Sequence, residues 1–199
     1  MNSSTFRDFP AALQSRATRV SLPAGAVVFR TGSPTHSVFF IEVGAVRLIR
    51  YGRAGEEVLL HDARAGEFFA EASLDSARYH CDAVASMPSE LLQVPAAALR
   101  DLLDADREFA LEWVALLARQ LRAVRTRLER LSLKGASERV HHLLVSEGRG
   151  RQCEVVLPGT LKDLARDLGL THEVLYRTLA SMERQGVLER QGTTLRLAK

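Results

Sequence analysis

Residues 159–190, with the sequence GTLKDLARDLGLTHEVLYRTLASMERQGVLER, constrain the fold more than any other part of the chain. Thr160 and Thr171 each stand just before an apolar-periodic run, where a side-chain hydroxyl caps the first turn of a helix. Gly169 lies between the two runs and permits a tight turn, and Gly186 follows the second run, where glycine commonly ends a helix. Two short helices joined in this way predict a helix-turn-helix.

The residues that follow the second helix, VLERQGTTLRLAK, indicate two short strands around residues 191–193. We expect these strands to form a wing beside the helix-turn-helix. The two helices are predicted to share a small core made of Leu164, Ala165, Leu168, Leu170, Val174, Leu175, Thr178 and Leu179.

The start of the second helix carries the side chains of Thr171, His172, Glu173, Tyr176 and Arg177. Glu173 and Arg177 share a face, because residues at i and i+4 are neighbours on a helix. An arginine can bind guanine through two hydrogen bonds, a glutamate can accept one from cytosine, and the first turns of a recognition helix reach base edges. We therefore predict that these five residues contact double-stranded DNA. The alternative is an ordinary surface ion pair.

The composition is that of a globular protein, with 46% hydrophobic and 26% charged residues among 199. Lys and Arg outnumber Asp and Glu by 11 to 8 in residues 134–199 and balance at 16 each elsewhere, so the net charge of +3 arises near the helix-turn-helix. We find no apolar run long enough to predict a membrane span and no signal-peptide pattern, so we expect a cytoplasmic protein. Cys81 and Cys153 are too few for a four-cysteine metal or iron–sulfur site.

Residues 20–95 alternate short apolar runs with turn signals. The runs AVVF, SVFFIEVGAVRLIR, EEVLLHDA, CDAVA and ELLQVP have the length and residue types of β-strands. Gly25, Gly32, Gly44 and Gly66 lie at or near the bends between runs, where a positive φ is often required. Several short strands at this spacing predict an all-β sandwich or barrel.

A long helix is predicted after the β region. The spacing between its successive apolar residues alternates between four and three, and this is the pattern of a heptad seam. The stripe is narrower than a helix packed on its own domain usually needs, so we predict that it joins two copies in a parallel homodimer. Packing against the chain's own β domain is the alternative. The predicted dimer interface is Val114, Leu117, Leu121, Val124, Leu128 and Leu131.

The stretch LKGAS at residues 133–137 interrupts the heptads. Gly135 can act as a hinge there, and Ser137 is predicted to cap the next helix. We therefore divide the chain into a β domain at residues 1–103, a dimerisation helix at 104–134 and a winged helix-turn-helix domain at 135–199.

These parts, in this order, resemble the cyclic AMP receptor protein / fumarate-nitrate reductase regulator (Crp/Fnr) family of transcription factors. The resemblance covers about residues 20–197 and rests on LPAGAVVFRTGSPTHSVFFIEVGAVRL, GEFFAE, the heptad helix and HEVLYR. It implies an α+β fold with an N-terminal β jelly roll of the cyclic-nucleotide-binding type, a long dimerisation helix and a C-terminal winged helix-turn-helix. It also implies a homodimeric, non-enzymatic regulator that binds promoters and contacts RNA polymerase.

Within this resemblance, GEFFAEASLDSARYHCDAVA corresponds to the family's phosphate-binding cassette. Glu71 matches the acidic residue that contacts the ribose, whereas Tyr79 and His80 stand in place of the Arg-Ser pair that grips the cyclic phosphate. A tyrosine and a neutral histidine do not supply a bidentate cation. Val124 and Arg125 replace the Thr-Ser pair that meets the purine. We therefore predict that these five positions form a small-molecule effector pocket that does not respond to cyclic AMP.

Three other interpretations remain open. The first is a regulator with a non-standard pocket for a cyclic nucleotide or haem; against haem, His80 and Cys81 are adjacent and so point to opposite faces of a strand. The second is a jelly-roll metalloenzyme, which would need clustered ligands such as His-x-His with a later His, whereas His36, His61 and His80 stand alone. The third is a nucleotide-binding module whose DNA-binding domain no longer works. We predict no cofactor, no metal site and no enzymatic activity.

Overall fold

The chain forms two compact units that divide between Val114 and Ala115. The computed structural model describes residues 5–157 and 159–198. Each unit has its own cluster of buried apolar side chains. The boundary lies inside one helix of 26 residues, Arg107–Ser132.

The first unit consists mainly of β-strands. After a 3₁₀ turn (Phe6–Asp8) and a short helix α1 (Ala11–Gln14), they are β1 (Thr18–Leu22), β2 (Val27–Phe29), β3 (Ser37–Val43), β4 (Ala45–Tyr51), β5 (Glu57–Arg64), β6 (Phe68–Phe69), β7 (Asp82–Ala85) and β8 (Ser89–Pro95). They form two four-stranded antiparallel sheets with the orders β1-β8-β3-β6 and β2-β7-β4-β5. The predicted β-sandwich is confirmed, and β1 and β6 are strands that the apolar runs did not indicate.

The core of this unit is filled from both sheets. Phe39 and Ile41 of β3 are buried in the same cluster as Leu48 of β4, as the two-residue alternation of strands requires. Gly44 connects β3 to β4, which belong to different sheets, and adopts φ 94°. A Cβ at this position would collide with the Ser89 hydroxyl. Glycine is therefore needed where the chain crosses from one sheet to the other.

Two helices, α2 (Ala96–Ala105) and α3 (Arg107–Ser132), follow the sheets. Asp106 separates them with extended backbone, and its Oδ1 accepts a hydrogen bond from the Phe109 N–H at 3.0 Å, which caps the start of α3. Phe109 and the chain's single tryptophan, Trp113, are buried on the first unit. Their aromatic cluster also contains Phe6, Phe9, Phe40 and Phe68.

The second unit is a winged helix-turn-helix. Beyond the end of α3 its elements are α4 (Ala136–Glu147), β9 (Val155–Val156), α5 (Leu161–Asp167), α6 (His172–Arg184), β10 (Leu188–Gln191) and β11 (Thr194–Leu197). The hairpin of β10 and β11 is the predicted wing, and β9 joins it as a third antiparallel strand that was not predicted. The predicted fold class is therefore confirmed.

The start of α4 differs from the prediction. Gly135 occupies the N-cap position that was predicted for Ser137. The Glu138 carboxylate accepts a hydrogen bond from the Gly135 N–H at 2.9 Å. This bond satisfies a backbone donor at the helix start without a serine hydroxyl.

A buried arginine joins the end of α3 to α4 and α5. The side chain of Arg130 is only 1% exposed and forms ion pairs with Glu147 and, at 3.2 Å, with Asp167. Asp167 also pairs with Arg127 at 2.9 Å. Removing one partner of a buried ion pair is strongly destabilising, so these contacts hold the last turns of α3 to α4 and α5.

Candidate nucleic-acid interface and sensor pocket

Side-chain caps and a glycine turn position the two helices of the helix-turn-helix. The Thr160 and Thr171 hydroxyls each accept a hydrogen bond at 3.2 Å from a backbone N–H in the first turn of α5 and α6. Gly169 adopts φ 62° between the helices, where a Cβ would lie 2.9 Å from Leu131 Cδ2. The predicted caps and turn are confirmed. The predicted shared core is buried at Leu164, Ala165, Leu168, Leu175 and Leu179 and partly buried at Leu170, Val174 and Thr178.

The predicted DNA-contacting residues lie on one exposed surface at the start of α6. Glu173 Oε1 and Arg177 Nη2 are 3.9 Å apart, and their side chains are 80% and 71% exposed. Such an open ion pair adds little to stability, so each group can exchange its partner for a base edge at small cost. We name this surface the recognition surface; it comprises Thr171, His172, Glu173, Tyr176 and Arg177, all exposed.

The wing places a cation beside the recognition surface. The guanidinium carbon of Arg190 lies 5.6 Å from the centre of the Tyr176 ring, and Arg190 also pairs with Glu183 at 3.1 Å. On the other side, the His172 ring is 5.9 Å from the Tyr176 ring. These contacts restrict the tyrosine side chain. The His172–Tyr176 contact follows the i,i+4 spacing of a helix, whereas the contact between Arg190 and Tyr176 depends on how the wing folds back on α6, which sequence spacing does not show.

The predicted dimer stripe is exposed along α3. The exposed fraction is 60% for Val114, 50% for Leu121 and 64% for Leu128. A continuous row of exposed apolar side chains usually marks an interaction surface. The remaining members are Leu117 and Val124, both exposed, and Leu131, which is partly buried.

A strained turn presents the predicted ribose-contacting carboxyl. Ala70 has φ 67°, a left-handed conformation that is costly for a residue with a Cβ, and it precedes the 3₁₀ turn Glu71–Ser73. Burial, aided by the negative charge of Glu67, raises the pKa of Glu71 to about 7. Glu71 Oε2 is buried and finds no hydrogen-bond partner in the described part of the chain.

The side chain of Tyr79 belongs to the core of the first unit. Its ring stacks on Phe29 with the centres 3.8 Å apart, and its hydroxyl donates to the Ser37 carbonyl at 2.7 Å. The hydroxyl is therefore already engaged, and its predicted part in an effector pocket stays a prediction. Val124 and Arg125 are exposed on the part of α3 that belongs to the second unit, and their part in that pocket also stays a prediction.

His80 is held by two neighbours. Its Nδ1 lies 2.9 Å from Ser73 Oγ, and its carbonyl accepts a hydrogen bond from Arg50 Nε at 2.7 Å. The next residue, Cys81, is buried, and burial raises the pKa of its thiol to about 11. Within residues 5–157 and 159–198, we find no group of three His, Cys, Asp or Glu residues arranged to hold a metal ion.

Comparison with known proteins identifies both units. A cyclic nucleotide-binding domain matches residues 19–106, and a Crp-like helix-turn-helix domain matches residues 138–199. The cyclic AMP receptor protein of Thermus thermophilus is 31% identical over 173 residues, which cover 83% of this chain and 77% of that protein. The chain belongs to the Crp/Fnr family of transcription regulators.

Other Crp/Fnr proteins show the same likeness. The transcriptional activator protein FnrA of Stutzerimonas stutzeri is 25% identical over 182 residues, covering 88% of this chain and 75% of that protein. The structure of the c-di-GMP responsive global regulator CLP of Xanthomonas campestris superposes with a TM-score of 0.70 at 21% identity, covering 94% of this chain and 97% of that chain. At that identity the match shows the fold alone.

Membership establishes the general function. This Crp/Fnr chain is a DNA-binding transcription regulator, and it is not an enzyme, as predicted. Its helix-turn-helix is the DNA-binding part. In the part of the chain that the structure describes, no helix is both long and apolar enough to span a membrane.

Proposed function

We propose that this regulator acts as a homodimer, reads a specific DNA sequence through its recognition surface, and does not use cyclic AMP as its effector. The observation that carries the proposal is the exposed pair of Glu173 and Arg177 at the start of a capped helix. Arg177 would bind a guanine through two hydrogen bonds, and Glu173 would accept one from a neighbouring base amino group.

The apolar stripe of α3 supports the homodimer. Val114, Leu121 and Leu128 recur at intervals of seven residues and are all more than one-third exposed in a single chain. A second copy that packs in parallel would cover all of them at once. Two-fold symmetry would then place two recognition helices about 34 Å apart, so the operator would be a palindrome.

Two features favour an effector other than cyclic AMP. Tyr79, at the position of the family's phosphate-gripping arginine, is stacked in the core with its hydroxyl bound to Ser37. Arg125, at a position where relatives meet the purine, is a large charged residue. Related proteins differ in this respect: one is named a cyclic AMP receptor, whereas CLP is described as c-di-GMP responsive.

The same proposal assigns one role to each part of the chain. Residues 1–103 would sense the effector, residues 104–134 would join the two copies, and residues 135–199 would bind DNA. A promoter-bound dimer of this type would then contact RNA polymerase, as the family resemblance implies.

A binding-site selection tests DNA reading. From random duplexes, the wild-type protein should select a palindrome with a G·C pair in each half-site. Arg177→Ala should cost about 1–3 kcal/mol per half-site and relax the preference at that one base pair. Arg184→Ala, which removes an exposed arginine from the far end of the same helix, should keep the wild-type preference.

One outcome of this selection would contradict the proposal. If Arg177→Ala retains the wild-type preference at every position of the half-site, base reading does not depend on the recognition surface, and the proposal is wrong.

A further inference from the structure

We propose that Arg190, on the wing, is a positioning residue for sequence recognition: it holds the Tyr176 ring where that ring contacts the C5-methyl group of a thymine in each half-site of the operator. This inference deepens the proposed function and rests on it, because it takes the recognition surface to read DNA.

Tyr176 lies beside the pair of residues that we propose to read bases. Leu175 and Leu179 are buried in the core of the second unit and fix which face of α6 is turned outward. Tyr176 is 51% exposed and follows Glu173 by three residues, so the two side chains share one side of the helix. Long side chains on a helix lean toward its N-terminus, which is the end of a recognition helix that reaches base edges. The Tyr176 ring is therefore directed to where the bases would lie.

Arg190 reaches this ring from the wing. Leu188 of β10 is buried in the core of the second unit, and Arg190 follows it by two residues, so both side chains lie on the same face of the strand. The guanidinium carbon of Arg190 lies 5.6 Å from the centre of the Tyr176 ring. The Arg190 side chain is only 25% exposed, and partial removal from water strengthens a cation–π contact.

Glu183 and His172 complete the support of the tyrosine. Glu183 follows Tyr176 by two helical turns and accepts a hydrogen bond from Arg190 Nε–H at 3.1 Å, so Arg190 bridges the two along α6. The His172 ring lies 5.9 Å from the Tyr176 ring. The tyrosine is thus contacted from the wing and from the first residue of the helix before DNA binds. Such preorganisation reduces the conformational entropy that is lost on binding.

The chemistry of the tyrosine ring favours thymine over the other bases. In the major groove, thymine is distinguished by its C5-methyl group, which is recognised by apolar side-chain surface. Tyr176 has the largest apolar area among the five side chains of the recognition surface. Glu173 and Arg177 carry charges that suit an amino group and a guanine, so the tyrosine would add an apolar contact that neither of them provides.

The test uses the full-length protein and the operator obtained by binding-site selection. Each thymine is replaced by deoxyuridine, one position at a time and in both half-sites, which removes the methyl group alone. Anisotropy titrations should show that, at one position, the wild type binds the uracil duplex roughly fourfold more weakly per half-site, which is the effect of one buried methyl group. Tyr176→Ala should abolish this difference. Tyr176→Phe should keep it, because the ring and not the hydroxyl makes the contact.

Variants of the wing test the positioning role. Arg190→Gln should lose most of the difference between thymine and uracil and retain the preference for the G·C pair that Arg177 reads. Arg190→Lys keeps a cation near the ring and should retain more of the difference than Arg190→Gln does. Arg196→Gln removes the same charge from the neighbouring strand, where the arginine pairs with Glu189, and should discriminate as the wild type does. Each ratio compares two duplexes with one variant, so a general loss of folding or affinity cancels.

Three results would overturn the inference. The first is that the wild type binds every uracil duplex as tightly as the thymine duplex, and the second is that Tyr176→Ala keeps the difference. The third is that Arg190→Gln weakens binding to both duplexes by the same factor, which would make Arg190 a phosphate contact only. The proposed function fails on a separate measurement, the base preference of Arg177→Ala, so all three results leave base reading by Arg177 standing.

Discussion

Glu71 couples the protonation of one residue to the stability of the first unit. The folded state holds the proton up to a pKa of about 7, whereas the ordinary value is 4.5. Between these pH values the folded state binds more protons than the unfolded state, so the free energy of unfolding falls as pH rises through this window. The loss from this group should be on the order of 3 kcal/mol. We expect Glu71→Gln to flatten the dependence and to be more stable than wild type at pH 8.

Urea unfolding followed by Trp113 fluorescence from pH 5 to pH 8 measures this effect. Asp75→Asn removes an exposed carboxylate four residues away and should leave the wild-type slope intact. A Glu71→Gln variant that keeps the full slope would show that burial does not hold the Glu71 proton in the folded protein.

Individual residues differ in how far the sequence revealed them. Thr160, Thr171 and Gly169 act on their immediate neighbours, so their positions in the chain were enough to predict their roles. Arg50 and His80 are thirty residues apart and meet only because β4 pairs with β7. No periodicity or spacing encodes such a contact, and the surroundings of His80 were therefore the least predictable part of the first unit.

At the level of elements, the apolar stripe of α3 should decide the oligomeric state. Leu121→Glu would place an unpaired charge in the proposed contact between copies, which costs several kcal/mol. We expect this variant to be monomeric at micromolar concentration and to lose most of its affinity for a palindromic operator. Sedimentation velocity and fluorescence anisotropy measure the two effects.

The matched control lies two residues further along the same helix. Ala123 is exposed and points about 200° away from Leu121. Ala123→Glu should therefore remain dimeric. If Leu121→Glu sediments as the wild type does, the stripe is not the contact between copies.

The long elements were predictable because their patterns repeat, and the short ones were not. The heptad pattern predicted α3, and the short apolar runs predicted β3, β4 and β5. By contrast, β6 and β9 have two residues each, which is too short for any period to show. Their pairing depends on partners elsewhere in the chain.

For the whole molecule, electrostatic binding to DNA should be separable from sequence reading. Lys162 is exposed in the first turn of α5, and we expect it to contact a phosphate. Each phosphate contact contributes about 0.9 to the slope of log affinity against log salt, so Lys162→Gln should reduce the slope of a dimer by about 2. It should weaken binding to operator and scrambled duplexes alike.

Anisotropy titrations at several potassium chloride concentrations provide the measurement. Arg16→Gln, an exposed change in the N-terminal segment, should leave the slope as in wild type. An unchanged slope for Lys162→Gln would remove this residue from the DNA contact.

One continuous helix, α3, carries residues of both units. A helix turns about 100° and rises about 1.5 Å with each residue. Deleting one residue after Ala115 would therefore rotate everything that follows by about 100° relative to everything that precedes, and would split the apolar stripe between two faces. Deleting seven would restore the phase to within about 20°. Changes in the length of α3 after Ala115 should therefore be tolerated when they comprise multiples of seven residues, because these keep the apolar stripe on one face of the helix.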